Sequence, residues 1–328
     1  MLVNLGTPDR PDEEAIRRYL KQFLSDPRVV DLPRWLWLTI LHLVILRTRP
    51  ATLVEKYQLI WGTKDGPIRN ISQALARRLQ TLLPDKKVIS AMTYGEPSIA
   101  SAFDKLLDSQ HVMVVPLFPQ YAGATTGAVQ DELDRVLLER EPTWQVDLLN
   151  NYHSDPGYID SLASSIRQSM AFRQRSPKVI FSFHGLPKIQ DDRGDPYALQ
   201  CQTTASLVAA TLNLPSDRWL VTYQSRFGPF AWLKPYTASV MRDLPGQGVK
   251  DVLVVCPGFA VDCLETIEEI KVLNRRLFLA AGGETFQYVK ALNASWAHAK
   301  LLADLITKRN SQGSSDYSDF NQSFPGGR

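Results

Sequence analysis

The residues best suited to chemistry stand in two short runs. In FSFHGLP, Phe181 to Pro187, an apolar stretch ends in His184 and a Gly-x-Pro turn. In CPGFAVDCLETIEEI, Cys256 to Ile270, the acidic residues Asp262, Glu265 and Glu269 recur at i, i+3 and i+7. On an α-helix that spacing predicts three carboxylates on one narrow arc near the amino end, with Ile267, Ile270 and Leu277 on another face and Glu268 just outside the arc. Histidine is the side chain whose charge changes nearest neutrality, so His184 suits proton transfer or metal binding. Imidazole and carboxylates together make a nitrogen–oxygen set for a divalent first-row metal, held loosely by so few ligands. Each has a structural alternative. A histidine at a strand end packs as readily as it acts, and Asp262 with Glu265 forms an Asp-x-x-Glu capping box at an end where the helix dipole favours acidic residues.

Two further runs could hold a ligand. PLFPQYAGATTGAVQDEL, Pro116 to Leu133, follows Tyr121 with small residues, so Thr125 and Thr126 meet a ligand at a helix start or simply cap it. Gly123 and Gly127 lack the Gly-Lys-Ser/Thr ending of a phosphate loop. YQSRFGPFAWLKPYT, Tyr223 to Thr237, is a loop rich in aromatics, and Phe230, Trp232 and Tyr236 in it either pack or flank a flat ligand.

The elements that must position these residues alternate. LVNLG, KVISAMTYG, HVMVVPLF and QVDLLNNY read as strands, then KVIFSFHG, WLVTYQSR, DVLVVCPGF and TFQYVKALN, with helical spacing between them. β-α alternation predicts parallel sheets covered on both faces. The halves also match in detail. The first strand of each ends in Gly-x-Pro (Gly6-Thr7-Pro8; Gly185-Leu186-Pro187) and the third in Pro-x-Phe (Pro116-Leu117-Phe118; Pro257-Gly258-Phe259), an internal duplication. Ligands of open parallel sheets bind beyond the carboxyl ends of the strands, so two such domains leave a cleft between them. The first half is the longer by an insertion, about residues 15 to 60, whose segment LPRWLWLTILHLVIL forms an apolar lip.

Composition narrows the function. A net charge of +3 without a basic block argues against a nucleic-acid partner. Three cysteines, Cys201, Cys256 and Cys263, odd in number and without Cys-x-x-Cys spacing, argue against a disulfide framework and a four-thiolate metal site. The Trp-rich segment is too short to span a bilayer and is interrupted by Arg34 and His42, but Trp35 and Trp37 could lie at a membrane interface, line a cleft, or bury in an ordinary core helix. The opening MLVNLGTPD has no secretory signal and reads as a truncated start. The polar, Ser/Gly-rich residues 309–328 are expected to be a disordered tail. Oligomeric state leaves no mark in the sequence.

NLGTP, YLKQFLSD, LFPQYAGATTGA, SFHGLP, QSRFG…WLKPYT and CPGFAVDCLETIEEI, in this order, resemble the ferrochelatase family, which inserts ferrous iron into a porphyrin at the end of haem synthesis. The similarity runs from about Leu2 to Ala303. It implies the chelatase fold: two similar Rossmann-like α/β domains, each a four-stranded parallel sheet flanked by helices, with a porphyrin cleft between them. The domains expected are 1–150, with the lip, and 151–308, with the last helix packing on the first domain. The implied reaction converts protoporphyrin IX and Fe2+ to protohaem with release of two protons. The alternatives are a coproporphyrin ferrochelatase, a related cobalt chelatase, or a tetrapyrrole or metal carrier without turnover.

The resemblance also implies roles. His184 and Glu265 match the active-site pair that handles metal and pyrrole protons, with Asp262 and Glu269 continuing an acidic path and Leu273 standing where some members carry a further glutamate. Leu5 matches the residue below the porphyrin plane. Arg47 and Arg49 resemble the arginines that meet propionates, and Tyr57 and Trp232 resemble aromatics lining the cleft, with Tyr121, Thr125 and Ser225 beside them. Iron is then a substrate. No iron-sulfur cluster is expected, because Gly123 holds the loop position where some members carry a cysteine and no cysteine follows Cys263. The expected setting is cytoplasmic, with peripheral contact at the inner face of the membrane. A flat, apolar dianion needs an apolar slot and cations at its mouth, and the inventory supplies both.

Overall fold

The computed structural model describes residues 1–63, 65–140, 145–171 and 176–311. The expected tail beyond residue 311 lies outside the described residues, while 309–311 continue the helix Trp296–Ser311.

Two four-stranded sheets, parallel throughout, repeat one topology. The first has β1 (Leu2–Gly6), β2 (Ser90–Tyr94), β3 (His111–Pro116) and β4 (Gln145–Leu148) in the order β2-β1-β3-β4. The second has β5 (Lys178–His184), β6 (Trp219–Gln224), β7 (Asp251–Val255) and β8 (Thr285–Val289) in the order β6-β5-β7-β8. Helices cover both faces, which is why the inner strands read as apolar runs: Val252 to Val255 are all buried, as are Val179, Ile180 and Phe181. In each sheet the chain leaves the first strand to one side and returns across it to the third. Loops therefore part at the carboxyl ends of β1 and β3, and of β5 and β7, and open a crevice there.

The duplication is visible in hydrogen bonds that sequence does not display. Met92 N–H of β2 donates to Pro97 O at 2.7 Å, and Tyr223 N–H of β6 donates to Pro235 O at 2.9 Å, so the loop after the second strand folds back on it in both halves. The Pro-x-Phe match is looser than expected. Pro116 is the last residue of β3, whereas Pro257 lies in the turn beyond β7.

The insertion folds as α1 (Glu13–Leu24), α2 (Arg34–Ile40), a π-helical turn at Leu41–Ile45 and α3 (Leu46–Ile60). Asp12 caps α1 by accepting from Ala15 N–H at 2.9 Å, and Ile16, Tyr19, Leu20 and Leu24 bury one stripe. The Trp-rich segment divides its two tryptophans. Trp37 is buried and its Nε1 donates to Leu24 O at 2.6 Å, whereas Trp35 is 75% exposed. Among the described residues no helix is long and apolar enough to cross a membrane.

The two halves are joined in part by α4 (Pro67–Leu82), whose Leu75 and Leu79 pack against Leu2 of β1 and against Ala299, Leu302 and Ile306 of the helix Trp296–Ser311. Each such leucine, fully removed from water, contributes about 1.5–3 kcal/mol.

Candidate active site

His184 ends β5, at the crevice of the second sheet, and is half-buried. Its Nδ1 lies 2.7 Å from Gly185 O. A carbonyl only accepts, so Nδ1 carries a proton, which in the neutral tautomer leaves Nε2 as the acceptor. Gly185 is required by its surroundings: a Cβ there would stand 2.8 Å from Gln224 O and 3.0 Å from the Trp232 ring, which packs against the strand end. Gln224, paired in register with His184, accepts from Ser182 Oγ at 2.8 Å and donates from Nε2 to Glu265 O at 2.9 Å. This buried glutamine ties the histidine strand to the acidic helix.

That helix, Glu265–Asn274, is a π-helix rather than the α-helix that its sequence suggests. Residues four apart stay close on the wider turn of an i→i+5 ladder, as they do on an α-helix. Glu265 and Glu269 are thereby neighbours. Asp262 does not share their arc. It precedes the helix, is buried, and accepts from Tyr288 OH at 2.6 Å, Asn293 Nδ2 at 2.7 Å and Thr266 Oγ1 at 3.1 Å. The expected acidic path thus loses its first member, whose acceptor capacity is taken up by the fold.

The capping reading of Glu265 fails as well. In that box Glu265 would accept from Asp262 N–H, which instead donates to Asn293 Oδ1 at 2.7 Å, while Thr266 Oγ1 accepts from Cys263 N–H at 2.9 Å. Glu265 is left half-buried beside Cys263, whose thiol it influences. Burial pushes that thiol well above its usual range, with the charge of Glu265 adding to the effect. Burial likewise raises the hydroxyls of Tyr19 and Tyr57, and Glu265 raises both further, so two protonated phenols stand near the carboxylate. Tyr19 OH donates to Gly6 O at 3.3 Å, which brings the end of β1 to the same place.

Glu269 is held by Ser225, whose N–H and Oγ donate to its two oxygens at 2.8 and 2.5 Å. Ser225 adopts a left-handed φ of 63° to do this, a conformation that costs a non-glycine residue free energy and recurs at functional sites. Burial raises the Glu269 carboxyl, the Ser225 donors and the nearby His184 lower it, and Glu265 raises it again. His184, Glu265 and Glu269 are thus within electrostatic reach of one another. Among the described residues no three His, Cys, Asp or Glu side chains converge as a metal cage.

The lip supplies the remaining wall. Tyr57 is buried and Leu5 half-buried in one apolar cluster with Tyr19, Trp61, Phe227 and Leu264, which brings lip, first sheet and second half together. The two arginines separate. Residues two apart on a helix do not share a face, so Arg49 lies 4.3 Å over the Phe227 ring while Arg47 points to solvent. Burial lowers the Arg49 guanidinium, and Tyr57 and Glu265 raise it. Tyr121 and Thr125 sit at the crevice of the first sheet: Tyr121 N–H donates to Gln200 Oε1 at 2.7 Å, and Thr125 belongs to a π-helical turn, Gly123–Gly127. Glu268 turns away from the cleft and pairs with Lys56 of α3.

A family profile described as ferrochelatase matches residues 1–310. The chain belongs to the ferrochelatase family. It is 48% identical to the ferrochelatase of Methylococcus capsulatus over 93% of this chain and 94% of that one, and 44% identical to the ferrochelatase of Psychrobacter cryohalolentis over 92% and 91%. Among solved structures, SirB from Bacillus subtilis with Fe3+ shares the fold at a TM-score of 0.57 and 14% identity, covering 76% of this chain and 94% of that chain. A ferrochelatase is a lyase of haem biosynthesis that inserts ferrous iron into a porphyrin, and both are substrates here. Three residues that the structure brings beside the expected site residues were not singled out in the sequence: Tyr19, Gln224 and Phe227. All lie in or beside the quoted motifs, and only the apolar stripe of α1 marked one of them, Tyr19, as inward-facing.

Proposed function

We propose that the porphyrin lies between the two strand ends, Leu5 under one face and His184 over the other. One observation carries the reading: the Tyr19 hydroxyl bonds the end of β1 and adjoins Glu265, so both halves contribute to one cleft. Insertion of Fe2+ into protoporphyrin IX releases two pyrrole protons. His184 Nε2 accepts them in turn and passes them toward Glu269 and Glu265, which also guide the incoming iron. Arg49 leaves Phe227 to meet a propionate, a charge-assisted bond contributing about 1.5–3 kcal/mol, while Arg47 stays in solvent. Tyr57, Trp232, Tyr121 and Thr125 line the slot. We propose no iron-sulfur cluster for the site: Cys201 lies in a helix, Cys256 after β7 and Cys263 before the π-helix, each on a different element.

Trp35, Leu43 and Val44 are exposed apolar side chains of the lip, which supports peripheral contact of a cytoplasmic protein with a membrane surface.

Incubation of the protein with protoporphyrin and ferrous or zinc ion tests the activity by the porphyrin's fluorescence. Loss with ferrous ion, or a shift with zinc, at catalytic protein concentration is the expected result; stoichiometric binding without turnover would make the protein a carrier. Arg49→Ala should raise the porphyrin KM about tenfold or more and Arg47→Ala should leave it unchanged. Equal effects would move the propionates elsewhere.

A further inference from the structure

Among the described residues two ion pairs tie the lip across the cleft. Asp31, just ahead of α2, pairs with Arg193 of the second half. At the other end of the lip Lys56 Nζ of α3 lies 3.1 Å from both carboxylate oxygens of Glu268 on the π-helix. The first pair is open to water on both sides, which leaves it weak. The second is not: the Glu268 side chain is only 15% exposed and Lys56 42%.

The placement of the second pair sets it apart from an ordinary surface contact. Lys56 is seven residues after Arg49, two turns of α3, so both fall on one face of the helix. Anchoring Lys56 fixes the rotation of α3 that brings Arg49 over Phe227 and beside Glu265. Glu268 is flanked by Glu265 and Glu269, which face the cleft. Drawing Glu268 toward α3 fixes the rotation of the π-helix from its other side.

We infer that Lys56 and Glu268 are a positioning pair for iron insertion: they hold the lip at the distance from the π-helix at which Arg49 receives the porphyrin. The pair touches neither porphyrin nor iron. The inference rests on the reading of the cleft as the porphyrin site.

The test measures porphyrin KM, kcat and melting temperature for Lys56→Ala, Glu268→Gln, the double variant and the charge swap Lys56→Glu with Glu268→Lys. Each single change should raise the porphyrin KM roughly two- to fivefold, the range for a pair partly in water, with kcat kept and melting near the parent. The double variant should be no worse than either single one. The swap should bring the KM back toward the parent, which a purely structural role of either side chain does not predict. Parent KM values in the single variants, or a swap no better than they are, would overturn the inference. Should Glu268→Gln melt early, the swap and Lys56→Ala still decide. If Arg49→Ala raises the KM and Lys56→Ala does not, the pair fails and the porphyrin site stands; if neither does, the cleft itself is misassigned.

Discussion

The two sheets share their strand order, yet their crevices are built from opposite chemistry. Counting back from the matched glycines, Leu5 on β1 and His184 on β5 occupy the same position, one before Gly6 and one before Gly185. In both halves a glycine follows because a backbone carbonyl of the neighbouring strand comes close: a Cβ would stand 1.8 Å from Tyr94 O at Gly6 and 2.8 Å from Gln224 O at Gly185. In both halves a π-helix follows the third strand. The first is the five-residue GATTG; the second has ten residues and carries Glu265, Glu268 and Glu269. The backbone is duplicated, while at the matched strand ends one copy presents the apolar Leu5 and the other His184, with Glu265 and Glu269 beside it. A flat substrate between them meets packing on one face and proton chemistry on the other.

His184→Leu erases the difference at the strand ends and should have the largest effect, lowering the rate of metal insertion by about 10²–10⁴-fold while porphyrin still binds and melting stays near the parent. A rate near the parent would return His184 to a packing role. Glu265→Gln removes the difference at the π-helices and should lower the rate by about 10²-fold without a change in melting. Thr266→Val is its counterpart, since Thr266 holds the helix start: stability should fall by about 1 kcal/mol with the rate kept. An exchange of these two outcomes would give the capping role back to Glu265.

Gly6→Ala tests the shared backbone. The overlap with Tyr94 O and a φ of +123° predict a loss of about 3 kcal/mol or more, read in denaturant melts, whereas Gly185→Ala should cost less, because its contact is longer and its φ is not left-handed. Equal losses would mean that the strand ends relax alike. Leu5→Ala should be smallest, raising the porphyrin KM about fivefold with kcat kept, the effect of trimming a half-buried side chain. A fall in kcat instead would give the apolar face a part in the chemistry.

Much of this was legible because strand alternation and Gly-x-Pro turns are local signals. The sheets, the lip and the placement of His184 at a strand's carboxyl end follow from them. The carboxylates were harder. Spacing put Asp262, Glu265 and Glu269 together on a helix of ordinary period, but Asp262 is taken by Tyr288 and Asn293, whose approach depends on how β8 lies beside β7. Arg47 and Arg49 were separable in principle, since residues two apart cannot share a helix face, yet nothing local says which face meets the cleft.

By itself the sequence determined the duplicated parallel sheets, the apolar lip and the residue types gathered at the strand ends, because period, turn chemistry and motif order are properties of the chain alone. Only the tertiary structure decided that the acidic helix winds as a π-helix, that Gln224 ties it to the histidine strand, and that Lys56 reaches across to Glu268. Those outcomes depend on contacts between segments far apart in the chain, and no local preference encodes which distant partner a polar side chain will find.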